Sequence, residues 1–266
     1  MPTDRKPQLA YSELMDKMLD EQARRRKANK LIAVITHFLG RSDLAGLTAL
    51  DVGCSAGFIS DELAASGART IGIDIDAPGL AKAKSLFGQR ANFLSTDGAA
   101  LPFPDGSIDV IVFNHIYEHV VDPDAVIAEL HRVLSPEGVV YFGLVNRLGV
   151  IEPHYRLPFL SYLSPPLADR YMRLTGKGDH FYERQLTRRG LRRMTASFRI
   201  WDYTVPVVLE PQRFHSDDAV PAVLRWTPGA LVRLAMPMVP TYVWVGTKSP
   251  SSYPRGPRLR SGPVAR

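Results

Sequence analysis

The stretch Leu50-Asp51-Val52-Gly53-Cys54-Ser55-Ala56-Gly57 constrains this chain more than any other. An apolar run from Leu47 to Val52, broken by one Thr, enters it, and a helical pattern (Phe58, Ile59, Glu62, Leu63) leaves it. A buried strand that turns tightly into a helix sets backbone N–H groups and the positive end of the helix dipole against a ligand. Gly53 and Gly57 suit such a turn because a Cβ would block close approach. Three more strand patterns follow. Thr70 to Asp76 ends in acid, Asn92 to Thr96 leads to Asp97-Gly98, and Ile108 to Phe113 ends in Asn114. In a parallel sheet all four polar ends lie at the carboxyl edge, where open α/β folds bind ligands.

Together with Gly72-Ile73-Asp74-Ile75-Asp76, Leu101-Pro102-Phe103-Pro104-Asp105-Gly106-Ser107-Ile108-Asp109 and Glu118-His119-Val120, this ordered set resembles the class I S-adenosylmethionine (SAM)-dependent methyltransferases. The resemblance covers roughly residues 45 to 146. The loop lacks Gly-x-Gly-x-x-Gly, which sets it apart from the dinucleotide-binding dehydrogenases. The fold implied is α/β, a doubly wound, seven-stranded, mostly parallel sheet. A helical and loop insertion follows the fifth strand.

Composition narrows the alternatives. One cysteine excludes a disulfide framework and fits a reducing compartment, most simply the cytoplasm. No signal-like apolar core opens the chain, and Gly229 to Gly246, its most apolar long stretch, contains Arg233, Pro237 and Pro240. The net charge of +6 is local. It sits in the tail, with Arg255, Arg258, Arg260 and Arg266, and in the segment Arg147 to Ser197. No aromatic-and-basic interleaving marks a single-strand platform, so nucleic acid is not the expected partner.

Five segments follow from the patterns: an N-terminal helical segment (1–44), a SAM-binding core (45–146), an insertion capping the acceptor site (147–197), C-terminal strands completing the sheet (198–249), and a disordered basic tail (250–266). Within the first, Leu14, Met15, Met18 and Leu19 form one apolar stripe, and Leu31, Ile32, Val34, Ile35 and Phe38 a second. The helix either packs against the sheet edge with Arg24 to Lys27 on its solvated face or, as often in the family, closes over the cofactor, where Tyr11 and Arg25 could touch SAM. Ile200 to Leu209 and Thr241 to Thr247 are the expected last two strands, and Pro206 confines the former to an edge. In the insertion, Leu157, Phe159, Leu160, Tyr162 and Leu163 either line an acceptor pocket or form the cap's own small core. Arg184, Arg188, Arg189, Arg192 and Arg193 either face an anionic group or membrane surface or lie on a solvated helix face.

The resemblance also assigns roles. Backbone N–H groups of the Asp51 to Gly57 loop, with Gly53, Cys54 and Gly57, would meet the cofactor's carboxylate, and Asp51 would hold the loop or accept from the amino group. Asp74 would take both ribose hydroxyls, Ile75 would pack on the adenine, and Asp97 with Gly98 would read its amine. Asn114 would lie by the methyl end. Cys54 is read as a packing residue, since no catalytic or metal-binding cysteine signature surrounds it. A hydroxyl acceptor needs a base with a pKa near neutrality. His115, next to Asn114, and His154, in Glu152-Pro153-His154-Tyr155, are the catalytic candidates. Quinone-biosynthesis O-methyltransferases are similar here, with two acids and a histidine near Glu118-His119 that hold a divalent metal. His115 stands in the place of the first acid, so no metal is assigned.

The expected activity is methyl transfer from SAM, leaving S-adenosylhomocysteine, to a small or lipid-like acceptor, on a hydroxyl oxygen, with peripheral membrane contact allowed. Methylation of protein or RNA and non-catalytic SAM binding are the alternatives. Nothing in the sequence specifies an oligomeric state.

Overall fold

The computed structural model describes Leu9, residues 20–217, Val220 and residues 227–265. In chain order, helix α1 (Glu21–Leu39) leads to strand β1 (Thr48–Val52), α2 (Phe58–Ala65), β2 (Arg69–Asp74), α3 (Ala77–Phe87) and β3 (Asn92–Ser95). Then come β4 (Ile108–Asn114), α4 (Pro123–Val133) and β5 (Leu134–Val145), followed by the insertion with α5 (Pro165–Leu174) and α6 (Arg188–Met194). The chain ends with β6 (Arg199–Asp202), α7 (Thr204–Leu209), α8 (Gly229–Ala235), β7 (Thr241–Thr247) and β8 (Val264–Ala265). The stripe Leu14 to Leu19 and Tyr11 lie outside the described residues.

Period-two burial builds the middle of the sheet. In β4, Ile111 and Phe113 enter one core layer and Val110 and Val112 the other. In β5, Val140, Phe142 and Leu144 join the first layer, and Val139 and Tyr141 the second. Strands buried on both faces need helices on both sides. α4 and α6 cover the first layer through Val126, Ile127, Leu130 and Leu191. α1 and α2 cover the second through Leu31, Ile35, Phe38, Ile59 and Leu63. The helix starts follow local chemistry: the side chains of Asp20, Asp76 and Asp122 cap α1, α3 and α4 by accepting from Ala23, Gly79 and Ala125 N–H.

The strand order is β3-β2-β1-β4-β5-β7-β6-β8. Pairs from β3 through β5 are parallel, and β7 runs antiparallel to both β5 and β6. Successive connections pass to opposite sides of β1, so a crevice opens between the carboxyl ends of β1 and β4. The doubly wound fold is as expected, with eight strands rather than seven.

Three segments depart from the sequence expectation. Ile200 to Leu209 is not one strand: β6 stops at Asp202, whose Oδ1 accepts from Thr204 N–H at 3.0 Å and starts α7. Pro206 then sits in the first turn, where no N–H is needed. Pro136-Glu137-Gly138, whose composition reads as a turn from the preceding helix into the fifth strand, is an irregularity inside β5, where the register against β4 shifts between Ile108 and Val110. The tail, expected as disordered, is packed. Leu259 is buried in the second core layer, Arg255 N–H donates to Phe38 O, and β8 pairs with β6. Its composition is that of a solvated end, but Leu259 and Val264 give it something to bury and an edge to pair with.

Candidate functional site

The crevice holds a cavity of about 450 Å³, a volume fit for a small molecule. The glycine loop forms one wall. Gly53 (φ 74°) and Cys54 donate their N–H groups to Ile73 O at 2.8 and 3.0 Å. Ser55 N–H donates to Asp74 Oδ2 at 2.7 Å, and Gly57 N–H to Cys54 O at 2.9 Å. These four N–H groups of the loop therefore have partners within the protein. A tight turn after β1 is close enough to β2 to be stitched to it.

Asp51, Gly53, Cys54, Asp74, Ile75, Asp97, Gly98, Asn114, His115 and His154 all line the cavity. Gly57 does not. It caps α2 in the left-handed region (φ 80°), and a Cβ there would come within 2.9 Å of Ala83 and Phe93. Cys54 is a packing residue. Burial holds its thiol well above the usual range, and a Cβ on Gly72 would come within 2.9 Å of its sulfur.

Two carboxylates shape the first half of the cavity. Asp74 accepts from Ser55 and Asp76 N–H through different oxygens. Asp51 is fully buried and accepts from Ser60 Oγ at 2.7 Å; burial pushes its pKa up to about 6. α1 covers this half with Asp20, Ala23, Arg24, Lys27 and Lys30, one face at helical spacing. Arg25, the residue the family resemblance offered here, is not among them. That residue is turned away and tied to Glu21, Asp61 and Glu62 at 2.6–2.9 Å. The basic run 24–27 carried the signal, but its phase depends on how α1 docks.

The other half is a cluster of histidines and carboxylates. His115 ends β4 at φ 59° and donates its N–H to Gly143 O. Burial first, then the charge of Lys27, holds its imidazole well below the usual pKa. The insertion contributes His154, whose Nδ1 lies 2.7 Å from Glu152 Oε1. Its Nε2 lies 3.4 Å from His119 Nε2 and 3.5 Å from Glu118 Oε1. Burial opposes its protonation, but Glu152, Glu118 and Glu183 outweigh that and raise its pKa. Burial also raises Glu118, to about 7. Glu152 is fixed by four hydrogen bonds, from His154 N, Tyr155 N, His154 Nδ1 and Gln185 Nε2.

The insertion otherwise stays out of the cavity, contributing only Pro153, His154 and Arg156 to its lining. Leu157 and Leu160 pack with Ala168 and Met172 in the cap's own core, with Leu163 against them. Phe159 and Tyr162 are exposed. Arg188 pairs with Asp202, and Arg184, Arg189, Arg192 and Arg193 are exposed. Glu152, Glu183 and Gln185 had no sequence signal beyond the Glu152-Pro153-His154 run.

Residues 50–142 match the family described as a methyltransferase domain. The ubiquinone biosynthesis O-methyltransferase of Aromatoleum aromaticum is 28% identical over 178 residues, 65% of this chain and 72% of that protein. The protein of the same name from Xanthomonas oryzae is 33% identical over 149 residues, 54% of this chain and 58% of its own length. An uncharacterized methyltransferase of Mycolicibacterium vanbaalenii is 36% identical over 111 residues, 41% of this chain and 44% of its own. The chain thus spans between 44% and 72% of the length of these relatives. Among solved structures, an S-adenosylmethionine-dependent methyltransferase from Mesorhizobium loti shares the fold, with a TM-score of 0.53 at 18% identity over 77% of this chain and 92% of that one. A chain of the complex between the Haloferax volcanii Trm112 methyltransferase activator and a methyltransferase does so at TM-score 0.57 and 16% identity, covering 91% of this chain and 98% of that one. Among the described residues no helix is long and apolar enough to cross a membrane.

Proposed function

We propose that this chain, which belongs to the class I SAM-dependent methyltransferases, methylates a hydroxyl oxygen of a small or lipid-like acceptor. One observation carries the acceptor side of this reading: the cavity's far wall is made of His115, His119 and His154 beside Glu118, groups able to take a hydroxyl's proton. The relatives named as O-methyltransferases act in the same direction.

SAM supplies a methyl group already activated on a sulfonium. The chain's residues have then to align, exclude water and manage one proton. Asp74 faces the ribose, Ile75 and Gly98 the adenine with Asp97 beside them, and Asn114 the methyl end. Arg24, Lys27 and Lys30 put positive charge on this wall, and Arg24, a charged neighbour of Asp51, is assigned to the methionyl carboxylate. His154, oriented by Glu152 through Nδ1, presents Nε2 on the acceptor side, and His115 is kept uncharged beside it. A loop-and-helix cap over the carboxyl edge keeps water out.

Asp51 is assigned to the cofactor's ammonium, and its pKa makes that testable. The folded chain retains a proton on Asp51 where the unfolded chain has lost it, so its contribution to stability falls as pH rises from about 4 through about 6. A bound cation favours the ionised form. Affinity for SAM should therefore strengthen as pH is raised from 5 to about 7 and then level, with Arg24 and Asp74 the charged neighbours of Asp51. Calorimetric titration across that range checks it, and Asp51→Asn should flatten the profile. A profile unchanged in the variant would remove Asp51 from the ammonium site.

The reaction itself is tested with methyl-labelled SAM and an extract of the source cells, separated into organic and aqueous fractions. Label in an alkali-stable ether of an organic-phase or small polar product supports the reading. Label in protein or RNA overturns it, as does SAM binding with no transfer to any fraction.

A further inference from the structure

The basic residues of α1 divide by face. Arg26 is exposed, whereas Lys27 and Lys30, three residues apart, are half-buried and line the cavity together with Arg24. Arg24 acts on Asp51, at the cofactor end. Lys27 and Lys30 act on His115: after burial, Lys27 is the largest cause of its lowered pKa, and Lys30 adds to it ahead of Arg24. The helix thus carries positive charge from Asp51 toward the acceptor side.

A second observation lies on β5. Tyr117, Tyr141, Tyr203 and Tyr242 are the fully buried tyrosines among the described residues. Three of them satisfy their hydroxyls inside the protein: Tyr117 at Val145 O (2.6 Å), Tyr203 at His37 Nδ1 (2.9 Å) and Tyr242 at Met236 O (2.9 Å). Tyr141 is different. It is 1% exposed and lines the cavity, and among the described residues its hydroxyl has no hydrogen-bond partner. Burial alone raises its pKa. A buried phenol ordinarily has a partner, so this one points to an acceptor atom that a ligand brings. Tyr141 belongs to the core layer that α1 covers, so its hydroxyl and the two ammonium groups lie on the same side of the sheet.

We propose that this side of the cavity holds an oxyanion of the acceptor itself, a carboxylate or phosphate carried beside the hydroxyl to be methylated, with Lys27 and Lys30 as its charges and Tyr141 as its neutral donor. Such a group belongs to the acceptor of the proposed hydroxyl methylation, on which this assignment rests. SAM has one carboxylate, and Arg24 is assigned to it. Ammonium groups on flexible stems act as point charges, and a phenol donates one directed bond, a combination suited to an oxyanion. The acids that line the cavity are Asp20, Asp51, Asp74, Asp76 and Asp97, at the start of α1 and the ends of β1, β2 and β3. From Asn114 onward the described lining contains no acid, and Glu118 is buried outside it. An anion held there would also fix which hydroxyl of the acceptor reaches His154.

The test has two arms. In the first, the full chain saturated with S-adenosylhomocysteine is titrated by calorimetry with salicylate against salicylamide, and with phenyl phosphate against phenol. The charged member of at least one pair should bind about tenfold or more tightly than its neutral partner, the effect of a charge-assisted hydrogen bond. Lys27→Gln combined with Lys30→Gln should bring the members of that pair within about threefold of each other, and Tyr141→Phe should weaken the charged member about three- to tenfold. S-adenosylhomocysteine affinity should stay within about threefold in both variants, which shows that they are folded. In the second arm, the labelled product formed from cell extract is passed over an anion exchanger at neutral pH. Retention is expected. Release at about pH 2, where carboxyls are protonated, marks a carboxylate, and continued retention marks a phosphate. Equal binding of charged and neutral probes, a preference that survives the double substitution, or a labelled product that is not retained would overturn the oxyanion site and leave hydroxyl methylation standing. No transfer of label to any fraction would overturn the proposed function instead, and the first arm then decides the oxyanion site by itself.

Discussion

Asp74→Ala is expected to weaken SAM binding about a hundredfold or more. Two losses add. The carboxylate ties the glycine loop to β2 through Ser55 N–H, and it braces the chain after β2 through Asp76 N–H. Asp74 also lines the cavity, where the ribose hydroxyls are assigned. Hydrogen bonds to a charged group contribute about 1.5–3 kcal/mol each, so losing two costs on the order of 3 kcal/mol, or about two powers of ten in affinity. Asp74→Asn keeps one acceptor and should fall between. Ser55 and Asp76 N–H lose their acceptor, so the ligand-free variant should also unfold earlier than wild type. Calorimetry with thermal unfolding of each variant separates the two effects. A loss of less than threefold in affinity would remove Asp74 from the ribose site.

His154→Ala should lower kcat about a hundred- to ten-thousandfold with the acceptor found by labelling, the range for a group that handles the reacting proton. SAM affinity should stay within about twofold, because His154 belongs to the insertion and meets His115, Glu118, His119 and Glu152, which are assigned to the acceptor side. His154→Gln keeps the shape and a donor but no titratable nitrogen, and should not recover activity. A fall in SAM affinity matching the fall in kcat would make the residue a structural prop instead. The contrast with Asp74→Ala is the useful part: one substitution acts on binding, the other on turnover, and together they divide the cavity into its two halves.

Most of the cavity wall formed by the strand ends was legible in the sequence because it is built from short-range patterns. Leu47 to Val52, Thr70 to Asp76 and Ile108 to Asn114 announce strands by apolar content, and each ends in the polar residue that a parallel sheet delivers to one edge. Gly57 has a reason to be glycine that the sequence did not show: the left-handed cap of α2 and the approach of Phe93. Ile200 to Leu209 was misjudged because a β-branched apolar run is compatible with a short buried helix, and the Asp202 to Thr204 hydrogen bond chose between them.

The sequence by itself determined the α/β order, the parallel core and the carboxylates at the strand ends, since periodicity and turn chemistry are local. Only the tertiary structure decided what stands opposite them. Which face of α1 reaches the cavity depends on how Leu31, Ile35 and Phe38 dock on the sheet, and that docking turned Arg24 inward and Arg25 out. Likewise, Leu157, Leu160, Ala168 and Met172 close a small core that sets the insertion over the sheet's edge. That placement brings Glu152, His154, Glu183 and Gln185 to Glu118. No local pattern encodes such a meeting, because its geometry is fixed by packing between segments far apart in the chain.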